Sequence, residues 1–170
     1  MGHVIDDLLA YSRIGRAAIE ARPAPLEPVL DHVRLACAAL LADSGGSIEV
    51  VDPLAVPIGD PTLLDTILLN LVTNALTYRR PGSVPRVVIA ADTVASSVRI
   101  TVSDNGAGMP ADALDRVFEA FVRLATDEDH PGTGIGLAIV RRSARLMGGD
   151  VTVTSELGVG STFTVTLPAG

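Results

Sequence analysis

Apolar residues recur along this chain in two rhythms, one helical and one alternating, and the clearest run of the first is Asp60 to Arg80. Its spacing predicts a helix of roughly five turns. Asp60 suits the N-cap, and Pro61 suits the first helical position, where a missing N–H costs nothing. Leu64, Leu68, Leu71 and Ala75 keep the i, i+4, i+7, i+11 rhythm of a buried face. A second stripe, Leu63, Ile67, Asn70 and Asn74, turns from apolar to amide halfway along. Two buried amides without partners would cost roughly 1–3 kcal/mol each. Either neighbouring loops or a polar ligand must therefore meet them.

On either side of this helix the two rhythms alternate. Residues 3–20, with Val4, Ile5, Leu8, Leu9, Tyr11 and Ile14, predict an amphipathic helix ahead of the proline-rich break ARPAPLEP. A helix set apart in this way is expected to pack on something outside the domain more than on the domain itself. Pro28 to Ala42 predict a second amphipathic helix, Ser47 to Val51 a strand, and Ala55 to Ile58 a short strand interrupted by Pro57. Arg86 to Ala91 and Ser97 to Ser103 predict two further strands, the latter alternating cleanly through Val98, Ile100 and Val102. Residues 110–121 predict a short helix, and the charged, aperiodic stretch 122–131 a loop. Gly132 to Gly149 open on glycines and continue as a helix, and Val151 to Ser155 with Ser161 to Leu167 close the chain as a hairpin. This order predicts an α+β fold. It is a two-layer α/β sandwich with one mixed, mostly antiparallel sheet and helices on one face.

Composition narrows the chemistry. The 170 residues, 48% of them hydrophobic, suit one domain with an appendage. No apolar run approaches the eighteen or so residues of a membrane span, and no signal-peptide pattern opens the chain. A net charge of −7 argues against non-specific nucleic-acid binding. The single cysteine, Cys37, excludes an internal disulfide and reads as a small buried hydrophobe. All 13 basic residues are arginine, which removes the lysine that a P-loop requires. Any phosphate site must use backbone amides, arginine or a metal ion.

Two glycine-rich stretches supply candidate chemistry. In DNGAGM, Asp104 ends a strand, and Gly106 and Gly108 let backbone approach a ligand. A carboxylate there accepts from an exocyclic amine, which adenine presents at its six-position where guanine presents a carbonyl. A tight turn capped by aspartate would read the same way. In GTGIGLA, Gly132, Gly134 and Gly136 precede a helix whose first amides suit an anion. The spacing is not that of the dinucleotide-binding fingerprint, and no apolar strand comes before it.

Taken together, NLVTNA, DNGAGM, VFEAF and GTGIGLAIV, in that order, resemble the nucleotide-binding boxes of the GHKL superfamily. Within it they are most similar to the catalytic ATP-binding (HATPase) domain of sensor histidine kinases, a Bergerat-type fold. The likeness covers roughly residues 26–167. DDLLAYSRIGR resembles the end of the second helix of the dimerisation and phosphoacceptor domain. The resemblance thus implies three parts: residues 1–20 as that helix, 21–27 as linker, and 28–170 as the catalytic domain.

The resemblance also implies ATP and Mg2+ as cofactors and assigns site residues. Asn74 would ligate the magnesium, with Asn70 as companion amide near the phosphates. Tyr78 would line the adenine pocket, Asp104 recognise the adenine amine, and Gly106 and Gly108 shape that wall. Gly132, Thr133, Gly134, Gly136 and Leu137 would wrap the phosphates. Phe118 and Phe121 would anchor a lid, and Arg123 would reach the terminal phosphate as the lid closes. Implied partners are a phosphoacceptor domain, a response-regulator receiver domain and a second copy in a homodimer. Neither nucleic acid nor membrane contact is implied, and the setting is cytoplasmic.

Departures from the pattern matter as well. Thr77 stands where the family often carries lysine or arginine, and Arg79 and Arg80 are the nearest cations that might substitute. The lid would be short and acidic, with Asp127, Glu128 and Asp129 best placed facing water. None of His3, His32 and His130 fits the phosphoacceptor, which lies further upstream in the family. The competing functions are a GHKL ATPase and a nucleotide-sensing or dimerisation module. An ATPase of this superfamily places a glutamate one turn before the metal asparagine, as base for water. Here that position is Asn70.

Overall fold

A computed structural model describes residues 2–123 and 132–170. Its elements run α1 (Gly2–Arg13), β1 (Arg22–Pro23), α2 (Leu26–Ala36), α3 (Ala38–Ser44), β2 (Ser47–Val51), β3 (Ile58–Gly59) and α4 (Pro61–Thr77). They continue as β4 (Arg86–Val94), β5 (Ser97–Asp104), a 3-10 turn at Ala111–Ala113, α5 (Gly136–Leu146), β6 (Asp150–Glu156) and β7 (Gly160–Pro168). Five strands form an open sheet in the order β2-β4-β5-β7-β6, parallel only between β2 and β4. This is the mixed, mostly antiparallel sheet that the order of elements predicts.

Register explains the layering. Ile89 faces Val102, which faces Phe163, and Ala91, Ile100 and Val165 line up beside them. All six are buried. They form the sheet side of a core completed by Leu64, Ile67, Leu68 and Leu71 of α4 and by Leu26, Leu30 and Val33 of α2. The alternate positions, Thr101, Ser103, Thr162 and Thr164, are half-exposed on the opposite face. A period of two thus separates a dry face for helices from a hydroxyl-rich face.

Helix α4 starts where the sequence predicts. The Asp60 carboxylate accepts from the N–H groups of Thr62 at 2.8 Å and Leu63 at 3.4 Å, with Pro61 in the first turn. It also accepts from the Glu20 N–H at 3.1 Å, which ties residues 14–21 to the helix. Burial pushes the Asp60 carboxyl up, but these three donors outweigh it and hold the pKa below the usual carboxylate range.

Several boundaries differ from expectation. The first helix ends at Arg13 rather than near residue 20, in a turn where Gly15 has φ +87°. The second is two helices broken at the buried Cys37, whose Sγ lies 3.9 Å from Thr73 Oγ1. Residues 110–121 hold a 3-10 turn and further turns, not an α-helix. β1 pairs antiparallel with β3, and Ala24 and Leu26 are buried, so the packed unit reaches into residues 21–27. Helix α1 lies partly on its own domain, through Tyr11 and Ile14, and leaves Val4, Ile5, Leu8 and Leu9 exposed.

Asp60→Ala removes a cap and should lower stability by about 1–2 kcal/mol in urea unfolding. Because its folded-state pKa is depressed, this contribution is present above the unfolded pKa and lost as pH falls through the folded one. The gap between wild type and variant should therefore close in acid.

Candidate functional site

Helix α4 carries Asn70 and Asn74 one turn apart on the stripe that continues from Leu63 and Ile67, beside its core-facing leucines, and both are half-buried. The Asn70 Nδ2 donates to the Thr66 carbonyl at 2.7 Å, which turns its Oδ1 toward the first residue of α5. A Cβ on Gly136 would sit 3.0 Å from that oxygen. One amide is thus partly satisfied by its own helix, whereas Asn74 lines open space.

The alternation of β5 puts Asp104 on the helix side of the sheet, in line with Val98, Ile100 and Val102. Its Oδ1 accepts from the Gly106 N–H at 2.8 Å and the Ser161 N–H at 3.3 Å. Both described bonds reach Oδ1, so Oδ2 keeps accepting capacity. Burial raises the Asp104 pKa, and the two N–H donors only partly offset it. The loop that follows is held just as closely. The Ala107 N–H donates to the Tyr78 carbonyl at 3.0 Å, and Gly158 to the Ala107 carbonyl at 2.7 Å. Gly108 has φ +67°, and a Cβ there would run into the Glu156 carbonyl. Only glycine fits that position.

The glycine stretch before α5 closes the same space. Gly134 has φ +72°, and its carbonyl accepts from the Phe121 N–H at 2.9 Å. A Cβ on Gly132 would lie 2.5 Å from the Tyr78 hydroxyl. Phe118 is buried edge-on against Phe163, with ring centroids 6.2 Å apart, whereas Phe121 is 60% exposed.

These elements enclose one cavity of about 620 Å³. That falls within the range of small-molecule and cofactor sites, roughly 300–1,000 Å³. Asn70, Asn74, Tyr78, Asp104, Gly108, Arg123, Gly132, Thr133, Gly134, Gly136 and Leu137 all line it. Gly106 does not; it braces the wall from behind, where a Cβ would meet the Tyr78 carbonyl at 2.6 Å. Thr77 lines the cavity without a positive charge. Arg79 is exposed and outside it. Arg80 donates to the Asn105 and Gly158 carbonyls at 3.2 and 3.0 Å. Neither arginine replaces the missing cation.

Sequence reasoning missed several lining residues. Ser161 pairs with Asp104 across β5 and β7, and only strand register could have shown it. Val4 and Asp7 come from α1, and Leu40 from α3. Asp127, Glu128, Asp129 and His130 lie outside the described residues. His32 is mostly exposed and bonds Asp65 on α4, away from the cavity.

A half-buried acid, two amides and a glycine-rich helix entry around one cavity define a nucleotide-binding ATPase-type domain. The chain belongs to the histidine kinase-, DNA gyrase B-, and HSP90-like ATPase family, which matches residues 59–170. Within it, the chain is similar to segments of sensor proteins and histidine kinases. It is 35% identical over 170 residues to cyanobacterial phytochrome A of Nostoc sp., covering 100% of this chain and 22% of that one. It is 33% identical to the aerobic respiration control sensor protein ArcB of Escherichia coli, covering 99% and 22%. The chain therefore spans about a fifth of these relatives. The crystal structure of full-length ShkA in complex with AMPPNP superposes with TM-score 0.80 at 37% identity, over 98% of this chain and 35% of that one. The mycobacterial sensor histidine kinase MprB gives 0.72 at 26%, over 86% and 97%. No helix among the described residues is long and apolar enough to cross a membrane.

Asp104→Asn removes a charge whose raised pKa marks a cost to the folded state. The variant should match or exceed wild-type stability at neutral pH in urea unfolding. Any gain should shrink as pH falls and vanish below the unfolded aspartate pKa, roughly 4.

Proposed function

We propose that this chain holds magnesium-ATP so that a histidine supplied by another domain can attack the γ-phosphate. The observation that carries the reading is one cavity lined both by a desolvated acceptor, Asp104, and by the glycine-rich entry to α5. Asp104 accepts from the adenine amine through Oδ2, Tyr78 flanks the base, and Gly106 and Gly108 hold that wall. Gly132, Thr133, Gly134, Gly136 and Leu137 surround the phosphates with backbone donors at a helix N-terminus. Arg123 supplies a counter-charge. The domain contributes position and charge neutralisation rather than covalent chemistry.

The residues present fit a magnesium ion held in part by its nucleotide. No group of three acidic, histidine or cysteine side chains that could cage a metal occurs among the described residues. Asn74 lines the cavity, and its carboxamide carries one hard oxygen. Magnesium commonly takes one or two protein groups together with phosphates and waters, and when bound it neutralises phosphate charge. Asn70 argues against hydrolysis as the main activity. It is an amide tied to Thr66, not a carboxylate able to act as base for water.

The wider assembly is part of the same proposal. Residues 1–20, helical through α1, belong to the end of a phosphoacceptor domain, residues 21–27 form a linker that packs on the catalytic domain through β1, and residues 28–170 form that domain. The exposed Val4, Ile5, Leu8 and Leu9 on α1 support pairing with a second copy. The phosphoryl group would pass from the histidine to a response-regulator receiver domain, and dependence on ATP supports a cytoplasmic setting.

Asn74→Ala should weaken magnesium-ATP binding by about tenfold or more, roughly 1.4 kcal/mol, in calorimetry. Binding with the metal chelated should change far less, and an unaltered affinity would remove the metal assignment. Supplied with γ-labelled ATP, the chain should label a separate histidine-bearing dimerisation domain and not itself. Strong labelling of His3 would overturn the reading. Asp104→Ala should abolish the preference for ATP over GTP in the same assay.

A further inference from the structure

At one end of the sheet the core face turns polar. Register puts Asp104 of β5 opposite Ser161 of β7, and Ser161 opposite Ser155 of β6. The neighbouring row is Val102, Phe163 and Val153, so the apolar face ends in a carboxylate and two hydroxyls. Asp104 and Ser161 line the cavity, and Ser155 does not.

The Ser155 hydroxyl stands at the meeting point of three bonds. It accepts from the Met109 N–H at 2.8 Å, donates to the Gly160 carbonyl at 2.9 Å and lies 2.8 Å from the Ser161 Oγ. A hydroxyl has one hydrogen and two lone pairs. A carbonyl can only accept, so the Ser155 hydrogen is committed to Gly160. The bond between the two serines must then carry the hydrogen of Ser161. That fills Ser155 completely and leaves Ser161 with lone pairs alone. Ser161 is also tied to the acid, since its N–H donates to the Asp104 Oδ1 at 3.3 Å.

We infer that Ser155 is a positioning residue for base selection, holding the Ser161 hydrogen so that Ser161 is a pure acceptor beside Asp104. This role rests on reading the cavity as an ATP site. Adenine carries an amine at its six-position, and two neighbouring acceptors suit its two hydrogens. A base with a carbonyl there meets lone pairs from both residues, an arrangement that disfavours the wrong ligand as much as it suits the right one. Freed from Ser155, the Ser161 hydroxyl turns about its own bond and donates to that carbonyl. Ser155 thus discriminates between bases without touching either.

Calorimetry with the magnesium complexes of ATP and inosine triphosphate tests this role, because inosine replaces the six-amine by a carbonyl and keeps the same sugar and phosphates. Ser155→Ala should narrow the preference for ATP by about fivefold, roughly the net worth of one hydrogen bond. Ser155→Thr keeps a hydroxyl and should keep the preference. Ser161→Ala should narrow it as well, and adding Ser155→Ala to that variant should change it no further. A Ser155 that only braces the fold would weaken both nucleotides alike, and an unaltered ratio in Ser155→Ala overturns the assignment. A further fall in the double variant also overturns it, since Ser155 would then act by a route other than Ser161. Should circular dichroism show Ser155→Ala unfolded, Ser161→Ala decides, and an unaltered ratio there sinks the idea. Wild-type protein that binds neither nucleotide removes the ATP reading and this role with it, a result distinct from binding with an unaltered ratio.

Discussion

A half-buried carboxylate at the end of β5 is the constraint on which the site depends. Burial disfavours its charge, so the fold must bring donors to it. One comes from Gly106, two residues along, and the other from Ser161 on the neighbouring strand. The second donor is available only because β5 and β7 pair with Asp104 opposite Ser161. The same loop is tied to the end of α4 through the Tyr78 carbonyl and to the β6–β7 turn through Gly158. Arg80 adds two bonds, to the carbonyls of Asn105 and Gly158. Sheet register, helix terminus and hairpin turn all converge on one residue, which lines the cavity and keeps Oδ2 outside both described bonds.

Helix α4 solves the complementary problem of serving two environments at once. Leu64, Leu68 and Leu71 are buried in the core, while Asn70, Asn74 and Thr77 line the cavity. A helix can do this because residues about 100° apart around its axis fall into separate stripes. The cost of placing amides beside an apolar stripe is limited by the cavity itself, which leaves them half-buried rather than sealed.

Much of this was legible in the sequence wherever a period ran long enough. The five strands of the main sheet follow from alternation, and α4 from its leucine spacing and its Asp60–Pro61 start. Short or tertiary features were not legible. Two-residue strands such as β1 and β3 have no period to detect, and their pairing rests on chain path alone. The break at Cys37 hides inside an unbroken apolar pattern, because a buried cysteine suits a helix interior as well as a junction. Residues 110–121 carry a helix-like composition, yet Phe118 is drawn into the core against Phe163, and the backbone follows it in turns. Ser161 could be placed only through register. Asp7 belongs to no nucleotide-binding motif, and only its bond with Thr133 brings it to the cavity wall.

Charge sets the remaining terms. A chain of net charge −7 does not attract a polyanion from a distance, and it has no lysine to do so locally. The arginines near the site are largely committed elsewhere. Arg80 holds carbonyls, and Arg141 pairs with Asp150 at 3.5 Å while lying 5.5 Å from the Phe118 ring centre. Thr77 adds no charge, and Asp7 adds a negative one to the cavity wall. If the cavity holds ATP, neutralisation must come from neutral donors at the entry to α5, from Arg123 and from the metal. Such donors act only over short distances and in correct alignment. Affinity in this domain would therefore depend on the loop before α5 being correctly shaped, which is the segment that α1 touches.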